Sequence, residues 1–155
     1  MPRKRVLFVC IHNSARSQMA EALLNHLASA RFEAMSAGIE PGKLNPIAVE
    51  AMRQVNIDIS TNQTKSVESV IERGTSFDYV ITVCDDASAE RCPVIPGGAA
   101  RLHWSFPDPS SFTGTFDQRV AATARVRDQI GERLNQWLRA ENAMAGSESV
   151  TASKA

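Results

Sequence analysis

The chain carries no surplus of charge: Lys and Arg number 17, as do Asp and Glu, so the formal net charge is zero. A protein that grips nucleic acid by its phosphates normally carries a basic excess, so that class of partner is set aside. The cluster Arg3, Lys4 and Arg5 reads as a solvated strand entry. Long apolar runs are also missing. Nothing approaches the roughly 18–20 residues of a membrane span. The stretch from Val6 to Ile11 is too short for a secretory core, and no small-residue cleavage site follows it. A cytoplasmic protein without membrane contact is expected. Cysteine is scarce, with Cys10, Cys84 and Cys92 only. An odd number in a reducing compartment makes a poor disulfide framework. No metal site and no bound cofactor are expected.

What is present is ordinary globular sequence. At 155 residues, 43% of them hydrophobic, the chain suffices for one domain whose core needs neither disulfide nor metal. A single catalytic domain is expected over residues 1–141. The small, polar run over 142–155 reads as a disordered tail. A monomer is expected.

Arg5 to Ile11 (RVLFVCI) is continuously apolar, as a strand covered on both faces is. From Ser17 onward Met19, Ala20, Leu23, Leu24 and Leu27 recur at helical spacing. Glu33 to Ile39 reads as a second strand. Asn45 followed by Pro46 reads as a helix cap and first helical position, and that helix should run to about Val55. A short helix through Val67, Val70 and Ile71 follows. Phe77 to Val83 (FDYVITV) is a third strand, and Cys84 to Pro96 a polar loop with a helical turn. Arg101 to Phe106 is a fourth strand, stopped by Pro107-Asp108-Pro109. A last helix starts near Thr115. Alternating strands and helices imply parallel βαβ units, with the ligand site at the carboxyl ends of the strands. Cys10, Cys84 and Asp108 all lie at such ends.

The first of these ends carries the most chemistry. Cys10-Ile11-His12-Asn13-Ser14-Ala15-Arg16-Ser17 sets a cysteine, five residues, an arginine and a serine between a strand and a helix. The backbone N–H groups of residues 11–16 can turn inward, and the helix start adds the positive end of its dipole. Such a cradle binds a tetrahedral oxyanion, and Arg16 can grip two of its oxygens. A positive field of this kind favours a thiolate nucleophile at Cys10. Asn13 suits a left-handed backbone position, and Ser17 can donate a hydrogen bond to the sulfur.

The segment VLFVCIHNSARSQMAEALL resembles the active-site loop of the low-molecular-weight protein tyrosine phosphatases, and more closely that of the arsenate reductases built on that fold. SAGIEPGKLNPIAVEAM, VNIDIS, DYVITVCDDASAERCPVIPG and LHWSFPDPS are similar to other stretches of the reductases, so the resemblance covers roughly residues 4–140. It implies an α/β three-layer sandwich around a four-stranded parallel sheet, and reduction of arsenate to arsenite. It assigns Cys10 as nucleophile, Arg16 as the oxyanion-binding arginine and Asp108 as the acid.

The resemblance also implies a relay of thiols. Cys84 attacks the arsenic-loaded Cys10, and Cys92 then resolves the Cys10–Cys84 disulfide to leave Cys84–Cys92 for an external reductant, with thioredoxin expected. Geometry adds a condition. If the two cysteines flanked a regular helix, eight residues would separate them by about 12 Å, whereas a disulfide needs Cα atoms within about 7 Å. The segment DDASAER must therefore bend or unwind. Some members of the family bind potassium through the matches of Asn13, Glu21 and Ser36 and a loop carboxylate. Lys65 stands at that last position here, so its ammonium is expected to replace the ion.

Two other readings compete. A phosphatase acting on phosphotyrosine or a small phosphomonoester would use Cys10, Arg16 and Asp108 alone, although Tyr79, the only tyrosine, falls in a core strand and offers no aromatic pocket. An oxyanion-sensing module would need no intact nucleophile, acid and relay. His12 is expected to present only its backbone N–H, His26 to be structural, and His103 to be a strand residue without a catalytic role.

Overall fold

The computed structural model describes residues 3–154, with side chains described to residue 142. Four strands form one sheet: β1 (Lys4–Cys10), β2 (Phe32–Gly38), β3 (Tyr79–Thr82) and β4 (Ala100–His103). Their order is β2-β1-β3-β4, and all three pairings are parallel. The helices are α1 (Arg16–Ala28), α2 (Pro46–Arg53), α3 (Val67–Glu72), α4 (Asp86–Ala89) and α5 (Phe116–Lys154).

The apolar run in β1 is explained by two separate cores. Val6 and Phe8 pack into one with residues of α1, α2 and α5, including Met19, Leu24, Met52 and Ile130. Leu7 and Val9 face the other, with Val67 and Val70 of α3 and with Phe77, Val80, Cys92 and Ile95. Alternate side chains of a strand point to opposite faces, so a strand covered twice must be apolar throughout. Aromatic contacts tie α5 to the sheet. Trp137 packs 5.0 Å from Phe32, 5.1 Å from Tyr79 and 6.0 Å from Trp104, centroid to centroid. The Tyr79 hydroxyl donates to Glu141 Oε1 at 2.9 Å.

Local signals explain most helix starts. Asn45 Oδ1 accepts from the Ile47 N–H, with Pro46 in the first helical position. Ser66 caps α3 and Asp85 caps α4 in the same way. Thr115 and Gln118 exchange hydrogen bonds at the head of α5, a reciprocal capping box.

Some boundaries differ from expectation. β3 and β4 are shorter than the apolar runs that announced them, because Trp104 and Phe106 turn into the core after the ladder with β3 ends at His103. Leu27 lies on the exposed side of α1. The expected tail over 142–155 lies almost wholly beyond the residues whose side chains are described. Residue 155 lies outside the described residues. No helix among the described residues is long and apolar enough to cross a membrane.

Candidate active site

The loop after β1 is built from both sides. From within, Asn13 takes the left-handed backbone expected of it, φ 54°. From outside, the chain after β2 holds four of its carbonyls. The N–H of Ile39 bonds Cys10 O, that of Glu40 bonds Ile11 O, that of Gly42 bonds His12 O, and that of Asn45 bonds Ser14 O. With these oxygens engaged behind the loop, its N–H groups are free to face forward.

Asn13 is the hub of this loop, and it is fully buried. Its amide nitrogen donates to Ser17 Oγ at 2.8 Å and to Ser36 Oγ at 2.9 Å. Ser36 passes its own proton to Glu21 Oε1 at 2.9 Å. Asn13 Oδ1 accepts from Gln18 Nε2 at 3.2 Å and from the Lys65 N–H at 3.1 Å. Both amide hydrogens are thereby used, and Ser17 Oγ is an acceptor toward Asn13. Its remaining hydrogen is left for Cys10 Sγ, 2.8 Å away. The Asn13 N–H adds a second donor to that sulfur at 3.2 Å. Two hydrogen-bond donors therefore converge on one sulfur.

The start of α1 completes the cradle. Its cap position is Ala15, with no side-chain cap bond and no acidic residue in the first turn. The first three helical residues, Arg16, Ser17 and Gln18, are themselves buried. Arg16 is anchored by Nη1 to Phe106 O at 3.1 Å, and its Nη2 lies 3.7 Å from Asp108 Oδ2. Asp108 also caps the 3-10 turn Pro109–Ser111, accepting from the Ser110 N–H and hydroxyl on Oδ1. The turn-forming and site-facing roles of Asp108 therefore coexist, one carboxylate oxygen serving each. His12 stands apart from the sulfur, with its ring Nδ1 2.8 Å from Glu40 O.

The three cysteines are free and buried, but they do not share one environment. Cys84 lies in the same core as Cys10. Burial pushes its thiol up to about 11, opposed by the positive charge of Arg16. Cys92 lies in the other core, beside Val80 and Ile95, where burial raises its pKa and Arg101 pulls it down. The structure thus brings Cys10, Asn13, Arg16, Ser17, Cys84 and Asp108 to one end of the sheet and leaves Cys92 in a different layer. Among the described residues, no three His, Cys, Asp or Glu side chains gather as metal ligands.

Several contributors went unnoticed in the sequence. Gln18 bridges Asn13 to the Gln63 carbonyl and is held by Asn62. Its place one residue after Ser17, on the inner turn of α1, was the only available signal. Gly38 is another. A Cβ there would come within 2.9 Å of Asn13 N, His12 C and Ile11 O, so only glycine lets β2 pass so close behind the loop.

A buried thiol that meets the Ser17 hydroxyl and the Asn13 N–H, beside an uncapped helix start and a buried arginine facing an aspartate, has the parts of a cysteine-based oxyanion site on an α/β fold. The sequence profile described as "Low molecular weight phosphotyrosine protein phosphatase" matches residues 5–149, and the chain belongs to that family. Its relatives narrow the branch. The protein named "Arsenate reductase" from Shouchella clausii (strain KSM-K16) is 42% identical over 137 residues, 88% of this chain and 96% of that one. A structure described as "An arsenate reductase in the phosphate binding state" superposes with TM-score 0.67 at 29% identity, covering 88% of this chain and 97% of that one. The Corynebacterium glutamicum thioredoxin-dependent arsenate reductase Cg_ArsC1' superposes with TM-score 0.65 at 29% identity, covering 93% of this chain and 64% of that one. The chain accordingly belongs with the arsenate reductases built on this fold.

Proposed function

We propose that the protein reduces arsenate to arsenite with its own thiols and is returned to the reduced state by thioredoxin. Arsenate occupies the cradle formed by residues 11–16, gripped by Arg16. Cys10 attacks arsenic while Asp108 protonates a departing oxygen, which leaves as water. The Cys84 thiolate then attacks Cys10 Sγ. An S–S bond forms, the S–As bond breaks, and its electron pair reduces arsenic from the pentavalent to the trivalent state. Cys92 attacks Cys84, freeing Cys10 as a thiolate and leaving a Cys84–Cys92 disulfide. An external dithiol restores both thiols and becomes a disulfide itself.

The observation that carries this reading is the presence of Cys84 in the core that holds Cys10, under the influence of Arg16. Hydrolysis of a phosphoester has no use for a second thiol there. A relay that must be reduced again by an external dithiol belongs in a reducing compartment, so we place the protein in the cytoplasm.

The cation expected beside the loop is supplied by Lys65. Its ammonium lies 3.9 Å from Glu21 Oε1, while Asn13 Oδ1 already accepts two N–H bonds. A potassium ion does not fit there beside a resident ammonium. Burial raises the pKa of Glu21, and Lys65 opposes that shift.

The experiment is arsenite formation with thioredoxin and its reductase, set beside hydrolysis of a phosphomonoester. Cys10→Ser should abolish both. Cys84→Ser and Cys92→Ser should lose multiple-turnover reduction yet keep any hydrolysis, where water resolves the intermediate. Normal turnover by Cys92→Ser would exclude the three-thiol relay. Hydrolysis without arsenite formation in the parent protein would favour the phosphatase reading, in which Cys10, Arg16 and Asp108 act alone.

A further inference from the structure

The segment between Cys84 and Cys92 is fastened to the rest of the molecule at two polar points. Toward its end, Arg91 pairs with Glu40, the residue whose N–H holds Ile11 O. At its start the fastening is His103. Thr82 of β3 and His103 of β4 are register partners, so their side chains share a sheet face. His103 Nδ1 lies 2.7 Å from Thr82 Oγ1. Its Nε2 lies 2.7 Å from Oδ1 of Asp86, the first residue of α4. Two residues from Thr82 along β3, on the same face, is Val80, which packs in the core with Cys92.

We infer that His103 is a positioning residue of the thiol relay: through Asp86 it clasps α4 to the β3–β4 edge and so sets how often Cys92 leaves its core. This rests on the relay proposed above. Cys92 cannot reach Cys84 without leaving the layer it occupies, and α4 lies between them in sequence. Whatever holds the first turn of α4 to the sheet therefore opposes that movement.

The hydrogen bonds fix which hydrogens the clasp needs. The Asp86 carboxylate only accepts, so Nε2 carries a hydrogen. Nδ1 can accept from the Thr82 hydroxyl, which leaves the ring neutral. Alternatively it can donate to Thr82, whose own hydrogen then turns to Leu102 O at 3.4 Å, and the ring is an imidazolium. The geometry accommodates both forms, but only the second adds an ion pair with Asp86. The other charged groups around this ring are Glu90 just after α4 and Arg101 two residues back on β4, which line the same cleft. Their signs oppose each other, leaving Asp86 as the directly bonded partner.

The test reads the movement of Cys92 without arsenate. Reduced full-length protein is alkylated with iodoacetamide under single-hit conditions, and modification of the tryptic peptide from Cys92 to Arg101 is followed by mass spectrometry. Each variant is divided by the parent at the same pH, which cancels thiol ionisation. Asp86→Asn and His103→Gln should raise Cys92 alkylation about three- to five-fold, the scale of one surface polar pair. Asp86→Glu, which keeps the carboxylate, should stay near the parent. Parent-like rates in Asp86→Asn would overturn the proposal. So would a rise of equal size in Asp86→Glu, which marks a general loosening of α4 and not loss of the carboxylate contact. The Asp86 side chain is 89% exposed, so its variants remain informative should His103→Gln fold poorly. Failure of the relay itself is read separately, from arsenite formation by Cys92→Ser.

Discussion

Replacing Gly38 by alanine should move the oxyanion loop without altering any side chain that meets the substrate. Gly38 is the last residue of β2, paired with Cys10, and its N–H bonds Lys65 O at 2.8 Å. An added methyl would sit 2.9 Å from three backbone atoms of the loop, Asn13 N, His12 C and Ile11 O. Ordinary carbon contacts begin near 3.5 Å, so the overlap is roughly half an ångström. None of the three atoms belongs to a side chain that could rotate away. The loop must therefore shift bodily, or β2 must. Overpacking of this kind costs about 1–3 kcal/mol, which at about 2–4 °C per kcal/mol for a domain of this size lowers Tm by roughly 2–12 °C. The shift falls on the Asn13 N–H, which also bonds Cys10 Sγ. Losing one backbone N–H to a charged ligand costs about 1.5–3 kcal/mol, so inorganic phosphate should bind about ten- to a hundred-fold more weakly. Calorimetric titration and a thermal melt measure both quantities. A variant with parental Tm and parental phosphate affinity would show that β2 does not brace the loop as described.

Three further expectations follow from the buried groups. Burial holds the Cys84 thiol at about 11 against an ordinary 9.0. The unfolded chain therefore ionises first, and stability present below about pH 9 is lost as pH rises toward 11; urea melts should show a shallower alkaline loss in Cys84→Ala, and identical slopes would contradict the shift. With Lys65 beside Glu21, Tm should be nearly the same in sodium and potassium salts at matched ionic strength, and a potassium-specific rise of several degrees in the parent would count against a resident ammonium. Formation of the Cys84–Cys92 disulfide must draw Cys92 out of its core, so amide exchange over residues 84–96 should accelerate on oxidation while residues 10–16 change less. Equal protection in both states, with the disulfide confirmed by mass, would sink the looping step.

Much of the fold was legible in sequence, because its signals act over a few residues. The apolar run of β1 announced a strand covered on both faces, and Val6 and Leu7 do face separate cores. Asn45-Pro46 announced α2, since a side-chain acceptor and a ring without N–H suit a helix start irrespective of surroundings. The left-handed backbone of Asn13, expected within the loop from Cys10 to Ser17, is a local preference of that residue type. What only the tertiary structure decided depends on segments far apart in sequence. Arg16 meets Asp108 and the Phe106 carbonyl because the parallel sheet sends the chain out of β1 and β4 at the same end, with β3 between them. Gly38 is indispensable only because β2 passes behind the loop, and nothing in its neighbours says so. Cys84 and Cys92, eight residues apart, fall in different layers because β3 ends on one face while the chain after α4 returns to the other. Which face a side chain enters is decided by whatever packs against it, and that partner is chosen by the fold as a whole.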